Sequence, residues 1–194
     1  ADEFSATLKS MTGKSTGSKE VEASIDRLFS YAAWADKYDG AVHQVPIRGV
    51  ALAMNEPIGV VGIACPNEAP LLSFISLIAP AIAMGNRVVA VASAAYPLAA
   101  TDFYQVLDTS DLPAGVVNIL MGAHADLAPT MAGHMNIDAV WSFSSADISQ
   151  TIEAESAGNL KRTWVNNGQV RTYTARDWLA QAVEVKTVWV PYGE

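Results

Sequence analysis

Residues 56–92, EPIGVVGIACPNEAPLLSFISLIAPAIAMGNRVVAVA, decide the fold of this chain. Ile58 to Ala64 is apolar apart from two glycines and shows no period of two, the pattern of a strand whose sheet is covered by helices on both faces. CPNEAP interrupts that strand, because Pro66 and Pro70 lack an N–H for a sheet ladder and Pro70 suits the first turn of a helix. From there the spacing Leu71, Phe74, Ile75, Ile78, Ile82 lays an apolar stripe along one helical face, which Gly85 and Asn86 terminate. Val88, Val89 and Val91 open a second buried strand. Two buried strands joined by a helix make a right-handed βαβ unit, so the expected class is α/β, a parallel, doubly wound sheet flanked by helices.

Toward the N-terminus, Glu20 to Tyr38 reads as an amphipathic helix with Val21, Ile25, Leu28, Phe29, Ala32 and Ala33 on its inner face and Glu22, Asp26 and Asp36 outside. Asp2 to Met11 suits another helix, and the polar GKSTGS at 13–18 reads as a loop. GKST is not a phosphate-binding loop, since the earlier glycine of that motif is missing and no strand precedes it. Val42 to Met54 suits two extended segments punctuated by Pro46 and Gly49. Beyond the central unit the pattern alternates. A helix over 97–107 is followed by a strand at Val116 to Leu120, a helix at Asp126 to Ala132 and a strand at Ala139 to Phe143. A helix at Asp147 to Ala157 and a strand at Thr163 to Val165 complete the series. That alternation is the signature of a nucleotide-binding, Rossmann-like fold. Thr174 then caps a short helix, and Val183 to Val190 alternates polar with apolar residues as a strand.

Composition narrows the functions. A chain of 194 residues suits one α/β domain that buries about 70% of its unfolded surface. A net charge of −8 opposes phosphate backbones and anionic lipid, which argues against nucleic-acid and membrane partners. The start, ADEFSATLKS, has neither the basic nor the apolar stretch of a secretory signal, and no apolar run approaches the roughly 20 residues of a membrane span. The one cysteine, Cys65, permits no internal disulfide and suits a reducing compartment, so a cytoplasmic location is expected. His43, His124 and His134 have no metal-ligand spacing and read as surface or structural residues.

EPIGVVG, the proline-bounded loop PNEAP, IAPAIAMGNRVV, LPAGVVNILMG, NLKRTWVNNG and, upstream, SIDRLFSYAAWADK together closely resemble the nucleotide-binding domain of NAD(P)-dependent aldehyde dehydrogenases. The resemblance covers most of the chain. It implies a Rossmann-like domain over residues 1–170 that includes an oligomerisation hairpin at 42–54, followed at 171–194 by a C-terminal oligomerisation arm. In that arm Val185, Lys186, Val188 and Val190 are the expected interface residues.

The same resemblance implies that the chemistry is gone. Aldehyde oxidation needs a thiolate nucleophile, a general base, oxyanion donors and a bound nicotinamide. The family's nucleophilic cysteine lies in a domain between its E-L-G-G motif and the arm; here VNNG at 165–168 takes that motif's place and only Gln169 to Val183 intervene. Asn166 stands at the general-base glutamate, and Glu68 at the asparagine that donates to the oxyanion. Val91 and Ala94 replace the lysine and glutamate that hold the adenosine ribose, and Ser144 and Ser149 replace glycines beside the pyrophosphate. A side chain at such a position is expected to obstruct the phosphate. These positions make the expected cofactor complement none for this chain, with NAD left to a parent enzyme.

The chain most resembles the C-terminal region of family-sixteen aldehyde dehydrogenases, a degenerate second copy attached to a dehydrogenase unit. It is therefore expected to be non-catalytic, to serve oligomerisation by mimicking a dimer mate, and to have a catalytic domain in the same polypeptide or a partner subunit as its partner, with homo-oligomerisation also open. The other reading is a residual NAD-binding module or a fragment of an active NAD-dependent enzyme.

Overall fold

The computed structural model describes residues 1–169 and 173–192. Helices α1 (Asp2–Thr12) and α2 (Gly17–Trp34) lead into the hairpin β1 (Ala41–Gln44) and β2 (Gly49–Pro57). The alternating series follows: β3 (Val60–Ala64), α3 (Pro70–Ala83), β4 (Arg87–Val91), α4 (Leu98–Asp108), β5 (Val117–Leu120), α5 (His124–Gly133), β6 (Ala139–Ser142), α6 (Ala146–Ser156) and β7 (Arg162–Val165). Helix α7 (Ala175–Gln181) and strand β8 (Val183–Pro191) close the described chain. Strands β5-β4-β3-β6-β7 form one sheet whose neighbours all run parallel, while β1-β2-β8 form a separate antiparallel sheet. The α/β parallel sheet flanked by helices is thus the observed fold.

The stripe read from the sequence is what seats α3. Leu71, Phe74, Ile75 and Ile78 are all at most 2% exposed, and they join Val61, Ile63, Val88 and Ala90 of the sheet in the larger core. The opposite sheet face carries Ala64, Val91 and Val140 under Met131, Ala132 and Ile152 of α5 and α6. Gly62 permits that second layer, because a Cβ there would meet the Met131 side chain at 2.7 Å. Gly85 stops α3 at φ +85, with the Asn86 N–H returning to the Ala81 carbonyl over 3.1 Å, a Schellman-type ending.

Asn86 then fastens three elements. Its side chain is 1% exposed; Nδ2 donates to the carbonyls of Ala81 (2.9 Å) and Ala182 (2.7 Å), and Oδ1 accepts from Gly59 N–H (3.0 Å). Arg162 of β7 adds donors to the carbonyls of Val183 (2.8 Å) and Ala180 (3.2 Å). The root of β8 is therefore tied to both the end of α3 and the edge of the parallel sheet.

Three expectations differ from what is observed. Helix α2 starts at Gly17, inside the stretch read as loop. It buries Val21, Ser24 and Tyr31, whereas Ile25 is 40% and Phe29 73% exposed and Ala32 and Ala33 also face out. Two apolar stripes share this helix, and packing against both α1 and α3 selects the one with small Ser24 and large Tyr31. The third difference is β8, expected in an arm set apart from the hairpin at 42–54: it pairs with β2 of that hairpin from Gly49↔Pro191 to Pro57↔Val183. Helix α7 belongs to the core, with Trp178 and Leu179 buried, and the strand that leaves the core begins at Val183. The 170/171 boundary lies outside the described residues.

Candidate functional site

The carboxyl ends of the parallel strands open into a cleft of about 1010 Å³. Strand order reverses between β3 and β6, and the crevice outside such a switch point is where open α/β sheets bind ligands. Its walls come from the loop after β3 (Pro66 to Ala69), the turn after β4 (Ala94), the start of α5 (His124), the β6–α6 turn (Ser144, Ser145) and the loop after β7 (Asn166, Gly168).

Glu68 lies exposed on the cleft wall, so a carboxylate stands in the mouth of the cleft. Neighbouring Asn67 turns its Oδ1 to the Ser93 hydroxyl (2.7 Å) and the Ala95 N–H (3.2 Å), which ties the loop after β3 to the turn after β4. Val91 is 1% exposed within the core cluster under α5, while Ala94 presents only a methyl to the cleft. Neither offers a hydrogen bond to a sugar. Asn166 is 7% exposed and its Oδ1 accepts from Gly168 N–H over 3.1 Å, so the amide closes a turn. It has no basic atom with which to take a proton.

The two serines expected to crowd the phosphate behave differently. Ser149 is fully buried in the second turn of α6, its hydroxyl 3.0 Å from that of Ser142 on β6, and it takes no part in the cleft wall. Obstruction by Ser149 is therefore corrected: position in the helix, and not order in the motif, decides where a side chain points. Ser144 does line the cleft, with its hydroxyl 2.8 Å from His124 Nδ1. The other ring nitrogen, Nε2, is 2.8 Å from the Ala92 carbonyl.

Cys65 is 1% exposed at the end of β3, and burial pushes its thiol from an ordinary 9.0 up to about 12. Such a group stays protonated and inert near neutrality. A wall of rings seals the side of the cleft over β6 and β7. Phe143 stacks on Trp178 at 5.3 Å, Trp164 meets Trp178 edge-on at 4.8 Å and Tyr173 at 4.9 Å, and Trp141 lies beneath at 5.2 Å from Trp164. The register Trp141↔Trp164 places two of them side by side on adjacent strands.

The arm residues sit on β8 opposite β2. Val185 is 60%, Trp189 56% and Val190 42% exposed, and Val188 is half-buried against its register partner Leu52. Lys186 is already engaged, donating to Glu56 Oε1 over 2.9 Å in a diagonal cross-strand pair. Across the sheet Val42 is 71% and Met54 45% exposed. The expected alternation of a covered and a solvated face is thus not seen, because apolar side chains stand out from both faces of a single-layer sheet.

Sequence reasoning missed His124 as a partner of Ser144. The available signal was a serine in place of a glycine at the β6–α6 turn, with a histidine opening the preceding helix. It also missed the ring wall, whose signal was W-x-F at 141–143 beside Trp164. Among the described residues no group of three or more His, Cys, Asp or Glu side chains is placed to hold a metal, and no helix is long and apolar enough to cross a membrane.

Comparison with known proteins places these features in a family. The profile described as the aldehyde dehydrogenase family matches residues 1–172. Retinal dehydrogenase 2 of Mus musculus is 36% identical over 152 residues, 77% of this chain and 29% of its own length. An aldehyde dehydrogenase of Agaricus bisporus is 34% identical over 152 residues, 78% of this chain and 30% of its own. Among solved structures, betaine aldehyde dehydrogenase of Staphylococcus aureus in complex with NAD+ superposes with a TM-score of 0.80 at 25% identity, covering 84% of this chain and 33% of that one. A lactaldehyde dehydrogenase gives 0.80 at 26%, covering 84% and 35%. The chain spans about a third of the length of the relatives it matches. On the fold, the switch-point cleft and these matches, the chain belongs to the aldehyde dehydrogenase family.

Proposed function

We propose that this chain is an aldehyde-dehydrogenase-like domain, non-catalytic in aldehyde oxidation, of a longer NAD-dependent enzyme of the family-sixteen kind, and that it serves assembly in the place of a second subunit. The observation that carries the proposal is the sheet β1-β2-β8, rooted by Asn86 and Arg162 and displaying Val42, Val185, Trp189 and Val190 to solvent. A sheet with apolar residues on both faces and an open strand edge is a template for strand addition and burial. Its partner is then the catalytic domain of a dehydrogenase unit, in the same polypeptide or beside it; pairing of two copies is the competing arrangement.

Aldehyde oxidation by this chain alone is unsupported at each step. The lone thiol is buried and protonated, and the groups aligned with the base and the oxyanion donor are an amide in a turn and a carboxylate. The residues present do not fit NAD either: Val91 and Ala94 offer the ribose nothing, and the ring nitrogens of His124 are already spent. A reduced, buried Cys65 agrees with a cytoplasmic setting.

The test replaces Val185 and Val188 with lysine in this chain, produced separately from the dehydrogenase unit on which it is proposed to dock. Light scattering and co-purification of the separately tagged dehydrogenase unit should report loss of association, with the far-ultraviolet signal of the parallel sheet retained. Full association by the double variant would remove β8 as the docking element.

A further inference from the structure

The former cofactor cleft holds a serine, a histidine and a carbonyl in series, and chemistry decides where the protons sit. The Ala92 carbonyl can only accept, so His124 Nε2, 2.8 Å away, carries the hydrogen. In the neutral ring Nδ1 is then the acceptor, and the hydroxyl of Ser144 must donate to it over 2.8 Å. That is the arrangement of an activated nucleophile: hydroxyl, base in a fixed tautomer, and a third group that orients the base. His124 is 7% exposed and held at both nitrogens, while Ser144 is half-buried on the cleft wall.

The local fold supplies the rest. Ser144 stands at a strand–turn–helix junction, between the end of β6 at Ser142 and the start of α6 at Ala146, with small side chains two residues away on both sides. Ser144 has an ordinary backbone there, not the strained elbow of a hydrolase, and it is the hydrogen bond to His124 that orients its hydroxyl. The first bond of α6 runs from Ser149 N–H to the Ser145 carbonyl, so the N–H groups of Ala146, Asp147 and Ile148 have no partner within the helix. Leu72, Leu77, Ile148, Phe143 and Trp178 on the cleft wall give an acyl chain an apolar seat.

We propose that Ser144 and His124 form an acyl-transfer site for short-chain carboxylic esters, independent of NAD and of the thiol. Ser144 Oγ attacks the ester carbonyl as its proton passes to His124 Nδ1, while Nε2–H stays on the Ala92 carbonyl. The tetrahedral oxyanion collapses, the C–O bond to the leaving group breaks, and the departing alkoxide or phenoxide takes the proton from Nδ1. Water then attacks the acyl-Ser144, giving its proton to Nδ1; collapse releases the carboxylic acid and returns the proton to Oγ. No electrons change hands. The proposal goes beyond the assembly role and leaves it untouched.

The test is labelling of the 194-residue chain with a fluorophosphonate probe and mapping of the adduct by mass spectrometry, alongside the burst of p-nitrophenol from p-nitrophenyl acetate. The adduct is expected on Ser144, the burst is expected to be lost in Ser144→Ala, and labelling in His124→Asn is expected to fall by about 100-fold, the scale of a missing general base. Cys65→Ala should retain both. Circular dichroism confirms that the unsubstituted chain and each variant fold. A folded chain that yields no adduct on Ser144, or an adduct only elsewhere, overturns the proposal.

Discussion

Replacing Asn86 by alanine should loosen the root of the arm sheet more than any other single polar change. The side chain is 1% exposed and makes three hydrogen bonds, to the carbonyls of Ala81 and Ala182 and from the N–H of Gly59. Alanine keeps the Ala81 carbonyl satisfied, because the residue's own N–H still reaches it at 3.1 Å. The Ala182 carbonyl, on a residue 0% exposed, loses the side-chain donor supplied at 2.7 Å, and the Gly59 N–H loses its acceptor. A buried polar group left unpaired costs about 1–3 kcal/mol. Gly59 is partly open to water, so the two together come to about 2–4 kcal/mol. Urea unfolding followed by tryptophan fluorescence reads the total, and hydrogen exchange reads its location. Amides of β8 should lose protection before those of β3 and β4. Asn86→Asp should be at least as damaging, since a carboxylate would then face two carbonyl oxygens. A loss under about 1 kcal/mol, or exchange in β8 unchanged, would refute the view that this amide fastens the arm.

Cys65 should resist iodoacetamide at pH 8 in the folded chain and react only on unfolding. Because its folded pKa of about 12 lies above the ordinary 9.0, this group costs nothing below pH 9 and favours unfolding progressively from pH 9 to 12, by about 4 kcal/mol at the top of that window. Cys65→Ala should flatten that part of the stability curve; an unchanged alkaline slope would count against the burial account. Trp178→Ala removes the ring that touches Phe143, Trp164 and Tyr173, and should cost about 3–5 kcal/mol, roughly a 10 °C fall in the melting temperature. A shift of only a degree or two would mean that the ring wall is not part of the stable core.

The parallel sheet was legible because its signals are local. The unbroken apolar run to Ala64, the stripe from Leu71 to Ile82 and the Gly85–Asn86 stop each follow from the covalent chain and its neighbours. Helix α2 was misread because periodicity offered two apolar stripes and only the tertiary partners α1 and α3 choose between them. Alternation in β8 said strand but not which face is covered, because both faces stand clear of the core. In the site, Glu68, Ala94, Ser144 and Asn166 do reach one cleft, as expected of loops at the carboxyl ends of a parallel sheet. Val91 and Ser149 do not, since each turns into the core from a regular element. His124 was missed as a site residue, because its partners Ser144 and Ala92 lie 20 and 32 residues away and only the fold brings the three together.

The most direct test of the central claim, that a nucleotide-binding fold persists here without its cofactor, is calorimetric titration of the folded chain with NAD. Losing even two ribose hydrogen bonds at about 1–3 kcal/mol each takes a micromolar site toward the millimolar range. The account predicts no saturable heat with NAD at concentrations up to about 100 μM, well below such a dissociation constant. A dissociation constant in the low micromolar range would contradict it, and would make the chain a working NAD-binding module.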